Sequence, residues 1–110
     1  MRFAVIYESE TGNTERIALE IFDTIGYRDK EMIDLNANKD IPEADVYFVG
    51  FPIHQRNCSL KVMDCLEQIE CGKIVLFATC GMSPTNSYRE KLEEKFSVWI
   101  SDDAEYCGLF

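Results

Sequence analysis

Ser9-Glu10-Thr11-Gly12-Asn13-Thr14 is the stretch on which the reading of this sequence turns. Before it stands Phe3-Ala-Val-Ile-Tyr7, a short apolar run rich in β-formers, as expected of a strand buried on both faces. After it the period changes. Ile17, Ile21 and Ile25, with Ala18 and Phe22, form one helical stripe from Thr14 onward, and Glu15, Arg16 and Glu20 face away. Gly26 is expected to end that helix in the left-handed conformation of a C-terminal cap. The six residues between strand and helix carry the parts of an anion site. Gly12 lets the backbone turn tightly and approach an anion, and the first-turn amides of the helix have no partners within it. The positive end of the helix dipole adds attraction for a dianion. Ser9, Thr11 and Thr14 add hydroxyls, and Asn13 a side-chain amide. No lysine or arginine lies inside the loop, so backbone and hydroxyl groups have to do the neutralising. The pattern is neither Gly-x-Gly-x-x-Gly nor a loop ending in Gly-Lys-Ser/Thr, which argues against dinucleotide and ATP sites. A plain polar turn, in which Thr11 or Asn13 only caps the helix, is the competing reading.

Outward from this point, strand-like and helix-like segments alternate. Met32-Ile-Asp-Leu35 and Val46-Tyr-Phe-Val-Gly50 predict the second and third strands, and a loop containing Pro52 follows. Leu60, Met63, Leu66 and Ile69 space as a second helix ending near Gly72, and Ile74-Val-Leu-Phe-Ala78 reads as the fourth strand. Tyr88, Leu92, Phe96 and Trp99 mark a third helix, whose stripe makes core packing the expectation for Trp99. Ala104 to Phe110 reads as a fifth strand, with no closing helix after it. Strict alternation with buried-type strands implies an α/β domain: a parallel sheet with helices on both faces, joined by right-handed crossovers.

The chain has 110 residues, one domain's worth over 1–110, and is 46% hydrophobic, too rich in apolar residues for a disordered segment. Eleven basic against 20 acidic residues give a formal charge of -9, a field that repels nucleic acid and anionic lipid and suits docking onto basic protein surfaces. The apolar start, Met1 to Ile6, is cut short by Glu8 and Glu10, and no apolar run is long enough to span a membrane, so the expected location is cytoplasmic. Five cysteines (Cys58, Cys65, Cys71, Cys80, Cys107) form no Cys-x-x-Cys pair, and the single His54 has no partner at metal-like spacing. They read as reduced, mostly buried thiols, with no metal site.

The loop, with its strand before and amphipathic helix after, resembles the FMN-phosphate loop of the flavodoxins, a Thr/Ser-x-Thr-Gly-x-Thr run in the same place. The similarity runs along the whole chain in segment order, including Ala44-Asp45 leading into a strand that ends at Gly50. The resemblance implies a flavodoxin-like fold, a five-stranded parallel sheet in the order 2-1-3-4-5. It implies FMN as cofactor and a carrier shuttling electrons between redox partner proteins, with no catalytic acid or base. The phosphate would lie on Ser9, Glu10, Thr11, Gly12, Asn13 and Thr14. The flavin ring would lie against the loops after the third and fourth strands, with Pro52, Ile53 and His54 in one and Thr79, Cys80, Gly81 and Met82 in the other. The family's ring-stacking tryptophan is absent from the first of these loops, leaving Phe51 or His54 to serve, and the Gly-Asp element is absent from the second. The same residues leave open a shortened, flavin-free interaction module, a reductase acting on a small substrate, and a phosphoacceptor domain, for which Glu8 and Glu10 imitate the acidic cluster poorly. Apolar surface beside the fifth strand, at Tyr106, Leu109 and Phe110, is expected to be covered by a second copy or a partner chain.

Overall fold

The structure is a computed structural model that describes residues 2–9, 12–26, 29–37, 40–52, 60–79 and 104–109, with Thr79 and residues 106–109 as backbone. The elements run β1 (Phe3–Tyr7), α1 (Asn13–Thr24), β2 (Lys30–Asp34), β3 (Val46–Pro52), α2 (Leu60–Gln68), β4 (Gly72–Thr79) and β5 (Ala104–Leu109). The five strands form one sheet in the order β2-β1-β3-β4-β5, and all four pairings are parallel. The expected order is therefore the observed one. The third helix expected over Tyr88 to Trp99 lies outside the described residues.

Burial on both faces explains the apolar strand cores. In β1, Ala4, Val5 and Ile6 are fully buried; Ala4 and Ile6 belong to one cluster, and Val5 and Tyr7 to another. The first cluster packs Val49, Phe51, Ile74 and Leu76 of the sheet against Val62, Met63, Cys65 and Leu66 of α2. The second sets Val5, Tyr7 and Phe77 against Ala18, with Ile17, Ile21 and Phe22 of α1 and Ile25 just past its end half-buried around them. Leu60, expected on the buried stripe of α2, instead stands 76% exposed at its start. Met63, Leu66 and Ile69 are buried as the stripe implies, and Val62 and Cys65 widen the inward face on the side away from Leu60. Gly72 does not end that helix; it opens β4 four residues beyond Gln68, with φ +105°.

Gly26 also departs from its expected role. The helix stops at Thr24, Ile25 is extended, and Gly26 has no positive φ. The reason is a cap from outside the helix. Lys30 of β2 donates from Nζ to the carbonyls of Phe22 (2.7 Å) and Ile25 (3.2 Å), and its ammonium lies 4.4 Å from the centre of the Phe22 ring. A cation at the negative end of a helix satisfies its last carbonyls and opposes the dipole, so a glycine cap is unnecessary. Lys30→Met is expected to lower stability by about 1–2 kcal/mol by removing these bonds and the cation–π contact. Urea denaturation checks this, and an unchanged midpoint would remove Lys30 from the account.

The thiols differ in their surroundings. Cys65 is 1% exposed, and burial pushes its pKa up to about 12, whereas Cys71 is exposed. Because the thiolate is the nucleophile, an alkylating reagent near pH 8 should modify Cys71 in the native protein and Cys65 only after unfolding. Peptide mapping reads this directly, and equal native rates would contradict the packing of α2.

Candidate functional site

Parallel register brings the ends of β1, β3 and β4 to one edge of the sheet. Tyr7 pairs with Gly50, and Pro52 with Thr79, so Ser9, Pro52 and Thr79 stand together at the carboxyl edge. The chain leaves β1 toward β2 on one side, while β3 leads to β4 on the other. The crevice at such a reversal is where open α/β sheets bind ligands.

Over this crevice the chain turns from β1 into α1. The N-cap is Gly12, in the left-handed region at φ +89° and ψ -6°, which a side chain tolerates poorly. Gly12 rather than Asn13 holds the cap position, so the capping reading of Asn13 is corrected. A glycine there offers no side-chain oxygen to the first-turn amides. A Cβ added at Gly12 would meet nothing within 4 Å, so the space beside its Cα is open. The Gly12 N–H donates to the Ser9 hydroxyl (2.9 Å), which closes the turn and leaves the hydroxyl its own proton to donate. Asn13 is exposed at the first helical position, and Thr14 is buried at 1% exposure. Glu10, Thr11, Ile53, His54, Cys80, Gly81 and Met82 lie outside the described residues.

Phe51 does not face the crevice. It is fully buried in the cluster beneath α2, so it cannot stack on a ligand from the edge, and this alternative for the missing tryptophan is corrected. The cause is strand alternation: Phe51 falls on the same face as Val49. Gly50, beside it, has no room for a side chain, because a Cβ there would run into the ring of Phe77, its register partner.

Several groups around the turn escape a reading by motif. Tyr7 ends β1, and burial first, then the carboxylates of Asp34 and Glu15, raises its hydroxyl above the usual tyrosine range. Asn36, just past β2, donates from Nδ2 to the Ser9 carbonyl (3.1 Å) and accepts from Lys61 Nζ at Oδ1 (2.7 Å). Sequence separations of 27 and 25 residues hide these bonds from any local pattern. At the opposite edge, an open groove of about 730 Å3 is lined by Arg2, Asp45, Tyr47, Glu70 and Cys71 among others. Its walls include the residues at the strand beginnings.

Comparison with known proteins agrees with this geometry. The flavodoxin-domain family profile matches residues 4–110. A flavodoxin-like domain-containing protein named BilS, from Clostridioides difficile (strain CD3), is 35% identical over 114 residues, covering 100% of this chain and 64% of that protein. Its namesake from Clostridium symbiosum (strain WAL-14163) is 23% identical over 128 residues, covering 100% and 66%. The chain thus spans about two thirds of the length of these curated relatives. Among solved structures, a flavoprotein in complex with FMN from Lactobacillus acidophilus NCFM superposes with a TM-score of 0.66 at 18% identity, over 98% of this chain and 91% of that one. An NADPH-quinone reductase from P. pentosaceus gives 0.66 at 12% identity, over 99% and 83%. At such identities the likeness is one of fold. Because the family match takes in the Gly12 turn, the crevice and every strand of the reversed sheet, the chain belongs to the flavodoxin-domain family.

Proposed function

We propose that this protein binds FMN without a covalent bond at the carboxyl-edge crevice and carries electrons between partner proteins. The observation that carries the reading is the Gly12 cap, a left-handed glycine with open space beside its Cα, at a helix end where no side-chain cap hydrogen bond is formed among the described residues. That cradle fits a phosphate monoester: the first-turn amides donate, the helix dipole attracts the dianion, and the Ser9 hydroxyl has a proton to give. The FMN named in the solved L. acidophilus relative supports the choice of phosphate ligand. Bound FMN supplies the redox chemistry, and the residues of the chain anchor and orient it. The ring would lie between the loops that follow Pro52 and Thr79, where Ile53, His54, Cys80, Gly81 and Met82 are the proposed contacts. With a formal charge of -9, the protein suits redox partners that present basic docking surfaces. A reducing, cytoplasmic setting is proposed on the free thiols Cys65 and Cys71. Among the described residues no helix is long and apolar enough to cross a membrane.

Fluorescence titration of the flavin-free protein tests the reading. FMN is expected to bind at least about 100-fold more tightly than riboflavin, because two charge-assisted hydrogen bonds at about 1.5–3 kcal/mol each are missing from the latter. Equal affinities would overturn the assignment of the loop. Binding of neither flavin would favour an interaction module without cofactor.

A further inference from the structure

The proposed anion loop contains no lysine or arginine, yet a cation is wired to it through two hydrogen bonds. Lys61, in the first turn of α2, donates to Asn36 Oδ1, and Asn36 Nδ2 donates to the Ser9 carbonyl. Asn36 is itself fixed by its own N–H, which donates to Asp34 Oδ1 at 2.9 Å, and by the Leu35 N–H bonded to the Tyr7 carbonyl at 2.9 Å. Ser9 is therefore held at both polar ends: its carbonyl by Asn36, and its hydroxyl by the Gly12 N–H. We infer that Asn36 and Lys61 are positioning residues for the phosphate end of the ligand, Asn36 by orienting Ser9 and Lys61 by supplying the positive charge the loop lacks.

The chemistry of the link is directional. An amide can accept from an ammonium on one side and donate to a carbonyl on the other, and each bond polarises the other. A carboxylate in its place would keep the lysine but turn an acceptor toward the Ser9 carbonyl, so aspartate is the discriminating substitution at Asn36. Lys61 also stands near the start of a helix that has no acidic residue in its first turn, where the positive end of the dipole repels a cation. The pairing with Asn36 turns that charge toward the β1 loop instead. Asn36 and Lys61 are both exposed, so neither is needed to fill the core.

The inference rests on the phosphate reading of the loop, and the experiment separates the two. FMN and riboflavin are titrated into the wild type, Lys61→Gln, Lys61→Arg and Asn36→Asp, in dilute buffer and again near 1 M salt, where the screening length falls to about 3 Å. Lys61→Gln is expected to weaken FMN about 3- to 5-fold in dilute buffer, the range of an exposed charge pair, with riboflavin unchanged. Lys61→Arg should restore FMN affinity, and high salt should erase the difference. Asn36→Asp should weaken FMN about 10-fold or more and, in the flavin-free protein, speed hydrogen exchange at the Gly12 amide as the turn loosens. A wild type that does not distinguish FMN from riboflavin would overturn the phosphate reading and this inference with it. A wild type that does distinguish them, with variants that leave FMN unchanged or weaken both flavins equally, would overturn the inference alone.

Discussion

Phe51→Ala is expected to lower the stability of the flavin-free protein by about 3–5 kcal/mol, the range for emptying a fully buried phenylalanine site. Phe51 is fully buried among the side chains between the sheet and α2, and its neighbours Val49 and Leu76 are held in strands that cannot collapse into the space. Domains of this size retain about 5–15 kcal/mol in all, so the substitution should bring a part of the population to unfolding at room temperature. Urea denaturation without ligand is the proper measurement, because a ligand that binds only the native state would mask part of the loss. A lowered midpoint with an unchanged slope is the expected result. Unchanged stability with weakened flavin binding would mean that Phe51 stacks on the ligand after all.

The second large effect is expected one residue earlier. Gly50→Ala places a methyl group against the ring of Phe77, which is only 4% exposed and has Val5, Tyr7 and Ala18 in its own cluster. Overpacking of this kind typically lowers stability by about 1–3 kcal/mol, and the upper end is expected because the ring is hemmed in. Pairing in β3 also restricts relief, since Gly50 is in register with Tyr7 on one side and Phe77 on the other. Phe77→Leu should recover part of the loss in the double variant, because the two side chains compete for one volume. Strict additivity of the two changes would show that the clash is relieved elsewhere, by movement of β3 itself.

The two predictions concern neighbours that the sequence presents alike, as residues at the end of an apolar strand and the start of a proposed ring-binding loop. Alternation along β3 sends Phe51 under α2. Close approach of Phe77 makes the glycine at position 50 a packing requirement rather than a turn signal. Neither fact follows from residue type or from a family pattern. Both need the register of β3 on β4.

What the sequence determined by itself are the features carried by neighbours in the chain. Phe3-Ala-Val-Ile-Tyr7 specified a strand buried on both faces, and the stripe of Ile17, Ile21 and Ile25 specified α1, because burial patterns repeat within a few residues. Gly12 between them marked a position where the backbone takes a positive φ, and the order of segments carried the resemblance that implied the sheet order 2-1-3-4-5. Only the tertiary structure decided how α1 ends, since its cap arrives from Lys30 on the adjacent strand rather than from Gly26. Only the tertiary structure turned Leu60 outward, buried Phe51 and Thr14, and joined Asn36 to Ser9 across 27 residues of chain and Lys61 to Asn36 across 25. Local preferences act through bonds a few residues apart. Hydrogen bonds and close contacts between strands and loops form only when the sheet has set their register, and the residues that make them look ordinary until then.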